Sequence, residues 1–312
     1  MDYPRAGIHY PRSHAELQAW FPTDADCVDY LDWLRWPGGF ICPSCAHPGG
    51  WRLADGRYEC AGCNGRISVT AGTIFDRTRT PLTAWFSACW LFATQEDGIS
   101  ALSMQRSLDI GSYQTSWAML HRLRSALARP GRDLLAGTVE VGEAVVGGGR
   151  TGGDGGEVLT GIAVEVDHPG GVGRCRMQVL ADGSAGSLTM FAAGAVAVGS
   201  QVTTRSTKPL PSVRLIAAAA TRWLLRTHQG SVAEAHLPAY LDEFVFRFNR
   251  RQSSNCGMAF YQVLGLATAH NPVRLRDLLA SPRPRTARAR PAPMAQPERP
   301  QASRPWRAAH LR

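Results

Sequence analysis

The plainest chemistry in the sequence belongs to four cysteines in two matched pairs. Cys42-Pro-Ser-Cys45 and Cys60-Ala-Gly-Cys63 stand fourteen residues apart. A Cys-x-x-Cys knuckle turns two thiolates onto one ion, and two knuckles complete a tetrahedron around Zn²⁺. Two such pairs in one short segment argue for a metal site rather than a redox dithiol or disulfides. A closed site of this kind contributes folding free energy and no chemistry of its own. The intervening residues supply a hairpin: Trp51-Arg52-Leu53, a turn at Ala54-Asp55-Gly56, then Arg57 to Cys60. Arg52, Arg57 and Arg66 lie on or beside the ribbon, either against phosphates or simply solvated. Cys27, Cys89, Cys175 and Cys256 are scattered and read as small packing residues.

A second set of residues could read DNA. Pro81 opens a helix in which Leu82, Trp85, Phe86, Cys89 and Trp90 fall at helical spacing. Ser100 is placed to cap a helix to about Leu108. Gly111 permits a tight turn, and Ser112 is placed to cap a second helix to about Leu127. Two short helices joined in this way have the layout of a DNA-reading pair, or of an ordinary helical hairpin. In the first case Ser112, Tyr113, Gln114 and Ser116 begin the recognition helix. His121, Arg122 and Arg124 reach groove or backbone further along.

These segments need a frame. Residues 1–37 read as a helical lead-in, with Ser13 before HAELQAWF and apolar positions at Val28, Leu31, Leu34 and Trp36. Residues 38–80 are the ribbon, and 81–130 the helix-turn-helix region. Arg129-Pro130-Gly131 marks the boundary, and 138–265 alternates Val-rich runs with helical stretches. The fold class is α+β. The Gly-rich stretch 147–156 is a loop or hairpin and lacks the ending of a phosphate loop. Net charge is +9, but residues 281–312 hold eight Arg and one Glu, and seven Pro besides. The basic balance is therefore mainly a property of that tail, which reads as disordered and solvated. No apolar run reaches the roughly 18 residues of a membrane span, and the N-terminus has no signal-peptide core. A cytoplasmic protein is expected.

The stretch from Gly39 to Arg124 resembles the N-terminal region of zinc-ribbon insertion-sequence transposases. In those proteins the ribbon, a run like Ser68–Phe75 and a helix like that opening at Ser112-Tyr113 follow in this order. GTVEVGEAVVGG at 137–148 is similar to the opening strand of the family's transposase domain. KPLPSVRLIAAAATRWLLRTHQG and LPAYLDEFVFRFNRR are similar to its closing helices, and the likeness covers roughly 15–265. The resemblance implies a ribonuclease-H-like domain of the DDE type, in which carboxylates gather two Mg²⁺ or Mn²⁺ ions for DNA strand cleavage and transfer. The implied partner is double-stranded DNA, in the form of the element's terminal repeats. No membrane is implied, and a homo-oligomer is left open.

The sequence departs from the family where the chemistry should be. Gly142 stands at the first catalytic Asp. Glu143 remains as a weak candidate, but neighbouring strand residues point to opposite faces. The turn after Gln201-Val202-Thr203-Thr204, where the second Asp is expected, runs straight to Arg205 and Lys208-Pro209. Arg214 takes the place of a His, and Ala217–Ala220 with Thr221 take the places of polar, acidic and Lys residues. Asp154, Glu157, Asp167 and Asp182 are the carboxylates that another register would bring together. Arg247, Asn249, Arg250 and Arg251 end the closing helix, against DNA or as helix-end residues. The expectation is a DNA-binding transposase by descent with a defective centre. The alternatives are a non-catalytic zinc-ribbon protein that represses or competes with active transposases, and a degraded reading frame that folds poorly.

Overall fold

A computed structural model describes residues 4–128, 133–147, 157–167, 171–204, 210–228, 232–253 and 255–279. In chain order the elements are α1 (His14–Trp20), α2 (Asp24–Arg35), β1 (Gly50–Arg52), β2 (Tyr58–Cys60), β3 (Arg66–Ile67), α3 (Leu82–Thr94), α4 (Ala101–Ser107) and α5 (Tyr113–Leu127). They continue with β4 (Thr138–Gly147), β5 (Glu157–Asp167), β6 (Gly171–Val179), α6 (Ala185–Ala195), β7 (Gln201–Thr204), α7 (Pro211–His228), α8 (Leu237–Phe248), α9 (Cys256–Ala269) and α10 (Leu275–Leu279). The chain divides into two compact units. The first runs to Ala126 and resumes at Asn255, and the second spans Leu127–Ser254.

The local signals for helix starts hold. Ser13 accepts from the Glu16 N–H, Ser100 from Ser103, and Ser112 from Thr115 at 3.1 Å, while Pro81 precedes α3. Each hydroxyl satisfies one of the orphan N–H groups of a first turn. Thr23 and Asp26 add a reciprocal capping box to α2. One expectation is corrected. The left-handed residue between α4 and α5 is Asp109, at φ 49°, and Gly111 does not have a positive φ. A short polar side chain tolerates that conformation, so the turn does not need its glycine.

In the first unit α2, α3 and α9 pack around an aromatic cluster. Phe21 lies edge-on to Tyr30 at 4.9 Å and to Phe86 at 4.7 Å, with Phe260 of α9 6.0 Å from Phe86. Gly257 sits so close to the N-terminal segment that a Cβ there would fall 2.0 Å from the Pro11 carbonyl oxygen. The sequence reading carries the back domain through to 265. Helix α9 packs instead with α2 and α3, and the break falls at 254.

The second unit is a four-stranded sheet in the order β6-β5-β4-β7. β4 pairs antiparallel with β5, β5 antiparallel with β6, and β4 parallel with β7. Helix α6 covers one face through Phe191 and Ala195 against Val139, Val141 and Ala163. Helices α7 and α8 cover the other, over Val146, Ile162 and Val164. Strand β4 is buried from Val139 to Gly142, as a strand between two helical layers must be. β6 is an edge strand, and the end of α8 closes part of it. The Asn249 side chain accepts from Cys175 N at 2.8 Å and donates to Cys175 O at 3.0 Å. Arg251 donates to the Val172 and Gly173 carbonyls.

Candidate functional site

The two knuckles meet. The sulfurs of Cys42, Cys45, Cys60 and Cys63 all lie within 4.8 Å of one another, with 3.8 Å between Cys42 and Cys63 and 3.6 Å between Cys45 and Cys60. A tetrahedron with Zn–S bonds of about 2.3 Å has edges of about 3.8 Å, so the donor set fits zinc. All eight cysteines are free thiols, so no disulfide competes for these four. Burial opposes ionisation of Cys42, but backbone N–H groups of Cys45 and Ser44 and the neighbouring thiols bring it down to about 6. The neighbouring thiols push Cys45 the other way, up to about 12, so the four sulfurs share their protons as one set that a bound cation would displace. Under the site Phe40 stacks on Tyr58 at 4.5 Å, with Trp36 edge-on to both. Helix α2 grips the ribbon from the side through Asp29 to Arg52 at 2.5 Å and Asp32 to the Tyr58 hydroxyl at 3.1 Å. The hairpin lies where the sequence places it. The third strand, β3, has no sequence signal, because two residues are too few to show alternation. Of the scattered cysteines, Cys27, Cys89 and Cys175 are buried, and burial pushes the Cys175 thiol to about 12. Cys256 is exposed, against expectation, because it begins α9.

The ribbon arginines are exposed but engaged. Arg57 pairs with Asp55 across its own turn at 2.5 Å, and Arg66 with Glu59 at 3.3 Å. On α5 the first turn is open to solvent: Ser112, Tyr113 and Gln114 are all exposed. Further along, the helix turns inward. Ser116 and His121 are buried, and Arg122 is half-buried, with desolvation lowering its pKa and Asp76 opposing that shift. Arg124, expected at groove or backbone, is only 1% exposed.

In the second unit the β4 side chains alternate as its neighbours require. Glu140, Gly142, Ala144 and Val146 face α7 and α8, and Glu143 faces the side of α6. A Cβ at Gly142 would meet Leu210 Cδ1 at 2.6 Å and Val213 Cγ1 at 3.4 Å. One carboxylate, Glu140, shares that face. It accepts from Ser212 N at 2.9 Å and Val213 N at 3.3 Å, at the start of α7. The sequence reading missed Glu140, although its spacing of two from Gly142 puts it on the same face. Among the described residues the rival carboxylates do not assemble. Asp182 caps α6 through Ser184 and Ser187. Glu157 and Asp167 stand at opposite ends of an eleven-residue strand, roughly 30 Å apart at about 3.3 Å per residue. Asp154, with the rest of 148–156, the Arg205–Lys208 turn, Arg129-Pro130-Gly131 and the 281–312 tail lie outside the described residues. Among the described residues, the four cysteines are the group placed to hold a metal ion. Mg²⁺ takes oxygen ligands in near-octahedral array, whereas the atoms nearest a Cβ at Gly142, among the described residues, are the apolar ends of Leu210 and Val213.

The α8 arginines are also occupied by the fold. Arg247 pairs at 2.8 Å with Glu243, which is fully buried. Arg250 lies 3.8 Å over the Phe246 ring and donates to the Phe246 carbonyl. Arg214, by contrast, is exposed on α7.

Fold and site together define a zinc-ribbon protein with helices next to the ribbon and a second, mixed α/β unit. Residues 22–66 match the model of the transposase zinc-ribbon domain. A protein of Halobacterium salinarum, described as an uncharacterized protein in transposable element ISH50, is 30% identical over 137 residues, which take in 42% of this chain and 45% of that protein. The chain thus spans about half the length of the curated relative it matches. No solved structure matches. These findings support the insertion-sequence transposase family. No helix among the described residues is long and apolar enough to cross a membrane.

Proposed function

We propose that this protein binds double-stranded DNA at insertion-sequence terminal repeats without cutting it. The observation that carries the reading is the succession of a Cys₄ ribbon and a capped helix pair whose second helix opens with Ser112, Tyr113 and Gln114 exposed. In a helix-turn-helix the start of the second helix enters the major groove, and polar side chains there meet base edges. Arg57 and Arg66 add phosphate contacts by exchanging their surface carboxylate partners for phosphates. Surface pairs of this kind contribute little, so the exchange costs little.

The sheet order β6-β5-β4-β7, with two antiparallel pairings, a parallel one and a helix before the last strand, supports a ribonuclease-H-like second unit. In that reading the first catalytic position is Gly142, which supplies no ligand. The reading of a repressor or competitor of active transposases is favoured by the same observation, because a chain that occupies the repeats without cleaving them blocks those that would. Band-shift with purified protein and the DNA ends flanking its own gene tests the reading. Specific binding is expected, with affinity falling as salt rises by a log–log slope of about −0.9 per phosphate neutralised. Equal affinity for unrelated duplexes of the same length would contradict it.

A further inference from the structure

We infer that the second unit carries a sealed apolar joint where the family's metal centre would lie, with Leu210 and Val213 as the plug and Glu140 as the fastening. The placing of that centre rests on the ribonuclease-H-like reading above, while the joint itself rests on geometry. Leu210 and Val213 fill the space above Gly142 so closely that even a methyl group there would stand 2.6 Å from Leu210 Cδ1, well inside van der Waals contact. Leu210 is 7% exposed and Val213 2%, and both belong to the same buried cluster as Ile162 and Ile216. Ions with hydrated oxygen shells have no place in such a cluster.

The second component is Glu140, 8% exposed, whose carboxylate takes two backbone N–H groups at the first turn of an eighteen-residue helix. A carboxylate is favoured there because it meets both the unpaired donors and the positive end of the helix dipole. Glu140 therefore ties β4 to α7 directly, and strand and helix stay together without a bridging cation. The small residue at 142 is part of this arrangement, since it lets Leu210 descend onto the sheet. The loss of the acidic position is thus built into the packing. Gly142→Asp alone drives a carboxylate into the plug and re-creates no metal site.

Calorimetric unfolding of the full zinc-loaded chain tests this, with Gly142→Ala, Gly142→Asp, Leu210→Ala and Glu140→Gln, and with Gly142 and Leu210 changed together. Gly142→Ala and Glu140→Gln are each expected to lower the second unit's midpoint by about 3–8 °C. Gly142→Asp should lower it further, with no recovery in millimolar Mg²⁺ or Mn²⁺. In the double variant Gly142→Ala with Leu210→Ala the loss should be clearly smaller than the sum of the single losses, since truncating Leu210 opens the space the new methyl needs. Gly142→Ala is the mild variant that keeps the test readable should Gly142→Asp fail to fold. Additive losses, or a midpoint of Gly142→Asp that rises with Mn²⁺, would overturn the joint. The outcome does not depend on DNA. Coupling without DNA binding would leave the joint standing and remove the proposed function, and DNA binding without coupling would do the reverse.

Discussion

Asp182 illustrates how a single carboxylate can be read for the wrong task. A candidate metal ligand by sequence, it serves α6 instead, accepting from Ser184 Oγ, Ser187 Oγ and Ser184 N. The Ser184 hydroxyl first, then the Ser187 hydroxyl and the Ser184 N–H, hold the carboxyl down to about 2. A depressed folded-state pKa means that its contribution is complete above the unfolded value near 3.9 and is lost as pH falls through about 2. Acid unfolding of α6 followed by hydrogen exchange should show that step, and Asp182→Asn should lack it. At Glu243 and Arg247 the pair is buried, so removing one partner takes a close counter-charge from the other. Glu243→Ala is expected to destabilise by about 3–5 kcal/mol, read as a shift in denaturant midpoint. The zinc ligands give the sharpest contrast. Metal analysis should find one zinc per chain, and Cys60→Ser should lose it together with the order of the ribbon.

Elements are legible in the sequence to the extent that their signals are local. Ser13, Ser100 and Ser112 announce helix starts because a capping hydroxyl acts only three residues ahead, and the cysteine pairs announce the ribbon because each knuckle is four residues long. What is not legible depends on distant partners. Glu140 looks like a surface acid until Ser212, 72 positions on, turns out to be its donor. Arg247, Asn249 and Arg251 have the composition of a DNA-contacting helix end, yet Asn249 is matched to the backbone of Cys175, 74 positions back. Asn249→Ala removes both halves of that match and leaves the edge strand unsatisfied, so a loss of about 1–3 kcal/mol is expected by chemical denaturation. The opposite holds for the start of α5. Tyr113→Ala and Gln114→Ala touch no core, as Tyr113 is 53% exposed. They should leave the thermal midpoint unchanged while weakening specific DNA binding by about 1–3 kcal/mol for each base edge no longer read.

For the whole molecule, chain order and unit order differ. Helix α9 follows the second unit in sequence but packs with α2 and α3, so the first unit is assembled from both ends of the chain. Sequence reading assigns it to the preceding domain because hydrophobic spacing identifies a helix and not its partners. A truncation at residue 254 should therefore destabilise the first unit, seen as faster proteolysis between residues 4 and 126, although every residue of the ribbon is kept. The division of labour we propose is a first unit that holds zinc and presents a reading helix, and a second unit that keeps its fold without the acids of the family it resembles.

The most direct test of that account is strand cleavage and joining by the purified chain on the DNA ends flanking its own gene, with Mg²⁺ or Mn²⁺, run beside band-shift on the same DNA. The account predicts a specific shift and no metal-dependent nick, in the unmodified chain and in Gly142→Asp alike. Nicking by the unmodified chain would contradict it and return Asp154, Asp167 and Asp182 as the candidate ligands.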